Sequence, residues 1–208
     1  MGYAEADPSA DIDGLDLCRK CALSATLAFS AIVREEDIPT AGIRHITEAD
    51  IRWAEERNMT CKQIMGSRRQ GDSISVYVEP AFLHADMLEA NLPIRSSIAI
   101  LEGKYVGRLG FFGAGAGTLP TGMNMMQDVM DILHQVGRLH CFTEPSRVDN
   151  SLLQHTYYIR GEADIPEAQE RGDGWLLTKP LPVAQMHAMA REAEKAGHPL
   201  FFASIAQE

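Results

Sequence analysis

Residues 2–20 read GYAEADPSADIDGLDLCRK, an acid-rich stretch that runs directly into the apolar, alanine-rich segment 21–33. Proline fixes one backbone dihedral and its Asp and Ser neighbours can bond the backbone locally, so the Asp-Pro-Ser sequence at 7–9 predicts a turn. Asp13 is a predicted N-cap, because a short acidic side chain can accept a bond from the free amides at a helix start. The stretch therefore predicts a loop followed by a mostly buried helix at 14–33.

Asp16 and Lys20 lie four residues apart on this predicted helix. That spacing places them on one face, with the acid near the positive end of the helix dipole and the lysine able to lean back toward it. Taken alone, such a pair is typical of a solvated helix surface, where it contributes about 0.3–0.5 kcal/mol. A functional role therefore depends on the residues around the pair.

The whole pattern resembles the substrate-site segment of homoserine dehydrogenases: Gly-Tyr-x-Glu-x-Asp-Pro-x-x-Asp-hydrophobic-x-Gly-hydrophobic-Asp-x-x-Arg-Lys. Further segments resemble segments of the same family in the same order, namely 36–47 (EDIPTAGIRHIT), 79–83 (EPAFL), 88–91 (LEAN) and 113–121 (GAGAGTLPT). The resemblance covers about residues 2–137, is specific in combination, and fades over the tail.

The resemblance implies reversible hydride transfer between NAD(P)H and the aldehyde of L-aspartate 4-semialdehyde, giving L-homoserine. Hydride addition develops an alkoxide, which needs a positioned proton donor. The resemblance implies Lys20 as that acid, and as the base in reverse, with Asp16 holding its ammonium or binding the substrate hydroxyl or amine. Glu5 would bind the substrate α-ammonium by a charge-assisted bond, and Gly2 would contact the substrate through its backbone. Asp11 is a further candidate for this polar site, with a solvated turn acid as the alternative.

The glycine loop at 113–117 lies between a predicted strand and a predicted helix. It is not a dinucleotide-binding fingerprint, since the spacing is not Gly-x-Gly-x-x-Gly and no βαβ unit surrounds it. Glycines before a helix N-terminus nevertheless allow close approach to the backbone, where amides favour an anionic or polar ligand. In the resembled family this loop borders the cofactor, so Gly117 and Gly115 are candidate cofactor contacts. Glycines needed only for a tight strand-to-helix turn are the alternative.

The resemblance also implies an N-terminal nucleotide-binding domain, which would hold most of the NADP or NAD cofactor and is absent from residues 1–208. Either Met1 is the engineered start of an excised catalytic domain, which we favour, or a split protein meets its nucleotide domain in trans. We expect this chain alone to bind cofactor weakly and to turn over little.

The composition is that of an ordinary globular protein, and the net charge of −10 argues against a nucleic-acid surface, which needs clustered Lys and Arg. No apolar run reaches the length of a membrane span, and no charged region precedes an apolar one as in a signal peptide. We therefore expect a cytoplasmic protein that acts on a small-molecule substrate, without nucleic-acid or membrane partners.

The cysteines and histidines do not predict a metal site. Cys18 and Cys21 have the spacing of half a zinc site, but they lie inside a predicted helix and no second Cys-x-x-Cys follows. Small buried helix residues are the favoured interpretation. The seven histidines are scattered and form no His-Glu-x-x-His motif.

Hydrophobic periodicity predicts an α+β fold with one mixed or antiparallel sheet and helices mostly on one face. Ile74, Val76 and Val78 alternate with polar residues, and turn signals at 70–72 and 102–104 predict two hairpins. The predicted helices are 14–33, 47–58, 120–137 and 183–196, and the predicted strands are 60–68, 73–79, 97–101, 105–112, 156–160, 174–177 and 200–205.

The resemblance divides the chain into a catalytic, substrate-binding and dimerisation domain at 1–140 and a diverged α+β appendage at 141–208. Family members often carry a regulatory ACT-type module there, but residues 163–167 (ADIPE) lack that module's Asp-x-Pro-Gly turn. We expect a reduced ACT-like tail that packs on the same sheet. The resemblance further implies homodimers formed through the catalytic domain, with the sheets joining across the interface.

Two other functions remain open. The chain could be a non-catalytic regulatory or metabolite-binding protein that kept this fold, or an assembly domain of a larger aspartate-pathway enzyme. The presence of Glu5, Asp16 and Lys20 together favours catalysis, because a binding protein has little need of the proton donor.

Overall fold

The computed structural model describes residues 7–93, 96–115, 117–136, 147–162, 165 and 168–206. Contacts group them into two compact units. The first unit takes its residues from Met1–His84 and Cys141–Glu208, and the second from Ala85–His140.

The chain forms five α-helices and ten strands over the described residues. The helices are α1 (Ser9–Ile12), α2 (Leu15–Phe29), α3 (Glu48–Glu55), α4 (Thr118–Leu133) and α5 (Val183–Lys195). The strands are β1 (Met59–Gln70), β2 (Ser73–His84), β3 (Ser96–Gly103), β4 (Gly107–Ala114), β5 (Arg147–Val148), β6 (Gln154–Arg160), β7 (Ala168–Arg171), β8 (Trp175–Thr178), β9 (Leu181–Pro182) and β10 (Phe201–Ile205). Every predicted helix and strand is confirmed in kind, with shifted ends, while the short α1, β5, β7 and β9 were not predicted.

The first unit is organised around one mixed sheet in the order β1-β2-β10-β6-β8-β7. The predicted hairpin of β1 and β2 is present, with antiparallel register from Met59↔His84 to Gln70↔Ser73. β10 pairs with β2 in parallel and with β6 antiparallel. The last strand of the tail therefore joins the sheet beside β2, and the predicted α+β class with a mixed sheet is confirmed.

Helices cover this sheet on both faces, whereas the sequence predicted them mostly on one. The small side chains of α2, including Cys18 and Cys21, are buried against Ile74, Val76 and Val78 of β2. Burial raises the pKa of the Cys21 thiol to about 12, as expected of an inert packing residue. The interpretation of these cysteines as small buried helix residues is confirmed.

The tail strand β6 shows which helix lies on which face. Tyr158 packs with Trp53 of α3, whereas its neighbour Tyr157 packs with Met186 of α5. Because successive side chains of a strand point to opposite faces, α3 and α5 lie on opposite sides of β6. Asp50 of α3 is fully buried and bonds across to β6, accepting from the Tyr158 hydroxyl at 2.9 Å.

The second unit contains a hairpin and a helix. β3 and β4 pair antiparallel from Ser96↔Ala114 to Gly103↔Gly107, which confirms the second predicted hairpin. The long amphipathic helix predicted at 120–137 is α4, which begins two residues earlier, at Thr118. Its large apolar side chains are exposed within the described residues, among them Met123, Met126, Val129, Met130, Ile132 and Leu133.

The predicted domain boundary at 140/141 lies outside the described residues, and the division at that point stays a prediction. No helix among the described residues is long and apolar enough to span a membrane.

Candidate active site

Asp16 and Lys20 form an ion pair on the first two turns of α2. Lys20 Nζ lies 2.6 Å from Asp16 Oδ2, with the two side chains 57% and 44% exposed. The predicted shared face is confirmed. The pair offers an ammonium proton donor and a carboxylate side by side at the surface, with the acid in the first turn of the helix.

The start of α2 differs from the prediction. Gly14, not Asp13, occupies the N-cap position, with a left-handed φ of 80° and no side-chain cap bond. The Asp13 carboxylate instead accepts two bonds from Arg44, from Nε at 2.8 Å to Oδ1 and from Nη2 at 2.7 Å to Oδ2. The guanidinium of Arg44 holds the pKa of the Asp13 carboxyl below its usual value. A partner from elsewhere in the chain has therefore displaced the local capping role.

The backbone before α2 is also held on both sides. The Ile43 amide donates to the Ile12 carbonyl at 2.8 Å. On the other side, with the Gln63 amide oriented so that both of its groups find partners, its nitrogen donates to the Asp11 carbonyl at 3.0 Å and its oxygen accepts from the Gly14 amide at 3.3 Å. These contacts fix the position of the chain just before the Asp16–Lys20 pair.

The other predicted substrate contacts are Asp11, Gly2 and Glu5. Asp11 lies on the one-turn helix α1 with an exposed side chain, so its place in a polar site stays a prediction. Gly2 and Glu5 lie outside the described residues, and their predicted contacts with the substrate are untested.

A cavity of about 260 Å³ lies beside the start of α2. Asp13, Gly42 and Arg44 line it together with His187 and Arg191 of α5. The tail helix therefore reaches the residues that hold the start of α2, although Asp16 and Lys20 do not line this cavity.

The predicted cofactor loop connects β4 to α4 within the second unit. Gly117 is the N-cap of α4 with φ 125° and ψ 154°, a conformation that essentially only glycine adopts. A Cβ on Gly115 would lie 2.0 Å from Ser97 Oγ, whereas one on Gly113 would meet nothing within 4 Å. The turn itself requires glycine at 117 and favours it at 115, and the predicted cofactor contacts of both residues stay predictions.

A buried carboxylate in β2 was not predicted as a special site. Glu79 is fully buried and lies 2.8 Å from His155 Nδ1 and 3.0 Å from His187 Nε2, while the Tyr157 hydroxyl donates to it at 3.3 Å. Burial acts to raise the pKa of Glu79, but its hydrogen bonds and charge interactions with the two histidines outweigh burial and hold the pKa below the ordinary value. The only feature of the sequence that could have indicated this buried cluster is the acidic residue directly after the alternating apolar run of β2.

No group of three or more His, Cys, Asp or Glu residues in the described part of the chain could hold a metal ion.

Comparison with known proteins points to one family. The sequence model of homoserine dehydrogenase matches residues 1–130. The homoserine dehydrogenase of Bacillus subtilis is 35% identical over 133 residues, which make up 64% of this chain and 31% of that relative. The chain thus spans less than a third of the length of that relative.

Solved structures share the fold. A homoserine dehydrogenase from Thiobacillus denitrificans matches with a TM-score of 0.80 and 24% identity, covering 99% of this chain and 56% of that one. A hyperthermophilic archaeal homoserine dehydrogenase mutant in complex with NADPH matches with a TM-score of 0.53 and 22% identity, covering 66% of this chain and 38% of that one. At these identities the likeness shows the fold alone.

Proposed function

This chain belongs to the homoserine dehydrogenase family, and on that premise we propose that it is the catalytic domain of such an enzyme, reducing L-aspartate 4-semialdehyde to L-homoserine with NADPH or NADH. The observation that carries the proposal is the Asp16–Lys20 ion pair at 2.6 Å, because it lies in the stretch that resembles the family's substrate site.

Lys20 acts as the proton donor. When bound, NAD(P)H supplies the hydride that adds to the aldehyde carbon. The Lys20 ammonium gives its proton to the carbonyl oxygen as that oxygen becomes an alkoxide, and a positioned acid of this kind contributes about 10²–10⁴-fold to a rate. Asp16 holds the ammonium in place through the 2.6 Å contact. The exposed Lys20 then regains a proton from solvent, and in reverse it acts as the base.

The loop before α4 is the proposed contact for the nicotinamide cofactor. Gly113 and Gly117 leave backbone uncovered by side chains: a Cβ on Gly113 would meet nothing within 4 Å, and one on Gly117 only Pro120 at 3.5 Å. Backbone amides at a helix N-terminus suit a polar or anionic group. Gly115 and Gly117 would contact the cofactor, with an upstream nucleotide-binding domain holding most of it.

The proposal includes a homodimer formed through this domain and a cytoplasmic location. Support for the dimer comes from the second unit, where Phe111 and Phe112 of β4 are each 59% exposed and large apolar side chains of α4 are exposed as well. Exposed apolar patches of this kind mark association surfaces.

The test is the reaction itself. The chain, joined to the nucleotide-binding domain of a family member, is given L-aspartate 4-semialdehyde and NADPH or NADH, and cofactor oxidation is followed while L-homoserine is identified by chromatography. Succinic semialdehyde is the control substrate, because it lacks the amino group that Glu5 would bind, and we expect it to react far more slowly. A folded protein that forms no L-homoserine would instead support the metabolite-binding alternative.

A further inference from the structure

The helix that carries Asp16 and Lys20 has no side-chain cap. Its N-cap is Gly14 in the left-handed region, without a side-chain bond to the free amides of the first turn. The apolar face of α2 packs on β2 from Leu17 onward, so the first turn, which carries Asp16, relies on the chain in front of it for its position.

Gly42 and Ile43 hold the chain in front of α2 through the backbone. The Ile43 amide donates to the Ile12 carbonyl at 2.8 Å. A Cβ at position 42 would lie 2.0 Å from the same Ile12 oxygen, so only Gly42 allows this approach.

Arg44 adds a side-chain fork next to this backbone contact. Its Nε and Nη2 donate to the two carboxylate oxygens of Asp13 at 2.8 and 2.7 Å. Two parallel bonds from a planar guanidinium fix both the distance and the orientation of the carboxylate, which a lysine cannot do. Asp13 precedes Asp16 by three residues and Lys20 by seven, so the fork acts within about one helical turn of Asp16 and two of Lys20.

Stability does not account for the Asp13–Arg44 pair. Both side chains are partly exposed, Arg44 at 51% and Asp13 at 36%, so even with two parallel bonds the pair contributes no more than about 1 kcal/mol to the free energy of folding. The two parallel bonds instead fix the orientation of the Asp13 carboxylate relative to Arg44.

We propose that Arg44 is a positioning residue: by clamping Asp13 it fixes the start of α2 and so the direction in which Asp16 and Lys20 are presented. This inference rests on the proposed function. A misplacement of catalytic groups by about 1 Å can lower a rate by about a hundredfold, so loss of the clamp affects catalysis more than folding.

The kinetic test compares Arg44→Ala with the parent chain in the same active assembly. We expect kcat/KM to fall by about tenfold to a hundredfold, mainly through kcat, with the melting temperature unchanged. Arg44→Lys recovers only part of the loss, because it restores the charge without the fork. Added methylguanidine restores part of the rate of Arg44→Ala and none of the rate of Lys20→Ala.

A matched control is Arg52→Ala. Arg52 also forms an exposed ion pair, with Glu48 at 2.8 Å, but on α3, away from the start of α2. We expect its kcat/KM to stay at the parent value. A loss as large as that of Arg44→Ala would overturn the proposal.

Amide hydrogen exchange tests the Asp13–Arg44 clamp by a measurement that does not depend on enzyme activity. The Cys18 amide donates to the Gly14 carbonyl at 2.9 Å, and the Ile43 amide donates to the Ile12 carbonyl at 2.8 Å. Both amides should exchange about tenfold faster in Arg44→Ala and at the parent rate in Arg52→Ala.

The outcomes separate this inference from the proposed function. An active parent with unchanged kcat/KM and exchange in Arg44→Ala overturns the positioning role and leaves the proposed function intact. A raised KM with unchanged exchange also overturns it, because Arg44 would then bind substrate directly. A folded parent that forms no L-homoserine overturns both.

Discussion

Single side chains in this protein take partners that lie far away along the sequence. Glu79 is the clearest case: its carboxylate has no solvent exposure and is bonded to His155 and His187, 76 and 108 residues away. A buried carboxylate is costly unless it is paired and hydrogen-bonded. The two imidazoles supply that pairing and bind the tail to β2.

Replacing Glu79 with Gln should lower the free energy of unfolding by about 3 kcal/mol at neutral pH, since it removes one partner from a buried charged cluster. The folded-state pKa of Glu79 lies below its ordinary value of 4.5. The contribution of ionised Glu79 to the free energy of unfolding is therefore fully present above pH 4.5. It is lost as the pH falls through the folded-state pKa. Urea unfolding at several pH values should show the difference between parent and variant shrinking below pH 4.5.

The control for this prediction is Glu48→Gln. Glu48 also pairs with a cation, but its side chain is 87% exposed, so the change should stay within about 0.5 kcal/mol. Equal losses in the free energy of unfolding for Glu79→Gln and Glu48→Gln would contradict a stabilising role for the buried cluster around Glu79.

At the scale of elements, backbone geometry decides how β4 passes into α4. The backbone of Gly117 has a conformation that residues other than glycine rarely adopt. Gly122 lies inside the helix, where a Cβ would meet nothing within 4 Å. The same Gly→Ala change is therefore expected to have opposite effects on stability at these two positions, which lie five residues apart.

We expect Gly117→Ala to destabilise the chain by about 1–3 kcal/mol through backbone strain. Gly122→Ala should stabilise it by about 0.5–1 kcal/mol, because alanine is the better helix former. Chemical denaturation of both variants measures the two effects. Destabilisation by both changes would show that the loop geometry is not the deciding factor.

At the scale of the whole molecule, the tail is part of the main sheet. β10 pairs with β2, His155 and His187 bond Glu79, and Tyr158 bonds Asp50 of α3. A detachable regulatory module would not share a core in this way.

Deletion of residues 147–206 should therefore unfold the rest of the first unit. The deletion removes the strand beside β2 and leaves the Glu79 carboxylate without its histidine partners. Circular dichroism should show no cooperative melting for the shortened chain. A cooperative transition near that of the parent would mean that the tail is dispensable for folding.

Local sequence patterns predicted local structure and did not predict distant pairings. The Asp16–Lys20 pair follows from helical spacing alone, so it was predictable. Asp13 has the residue type of an N-cap, but Arg44, 31 residues later, engages its carboxylate instead. No periodicity links positions that far apart, which is also why the partners of Glu79 could not be predicted.

Catalysis by Lys20 is the central claim, and the most direct test is the initial rate of NADPH oxidation with L-aspartate 4-semialdehyde for Lys20→Ala against the parent. Arg19→Ala is the control, because Arg19 is as exposed as Lys20 on the same helix and also pairs with an acid. We predict that Lys20→Ala lowers the rate by about 10²–10⁴-fold with unchanged melting, while Arg19→Ala stays near the parent rate. A Lys20→Ala variant that keeps the parent rate would contradict the assignment of Lys20 as the proton donor.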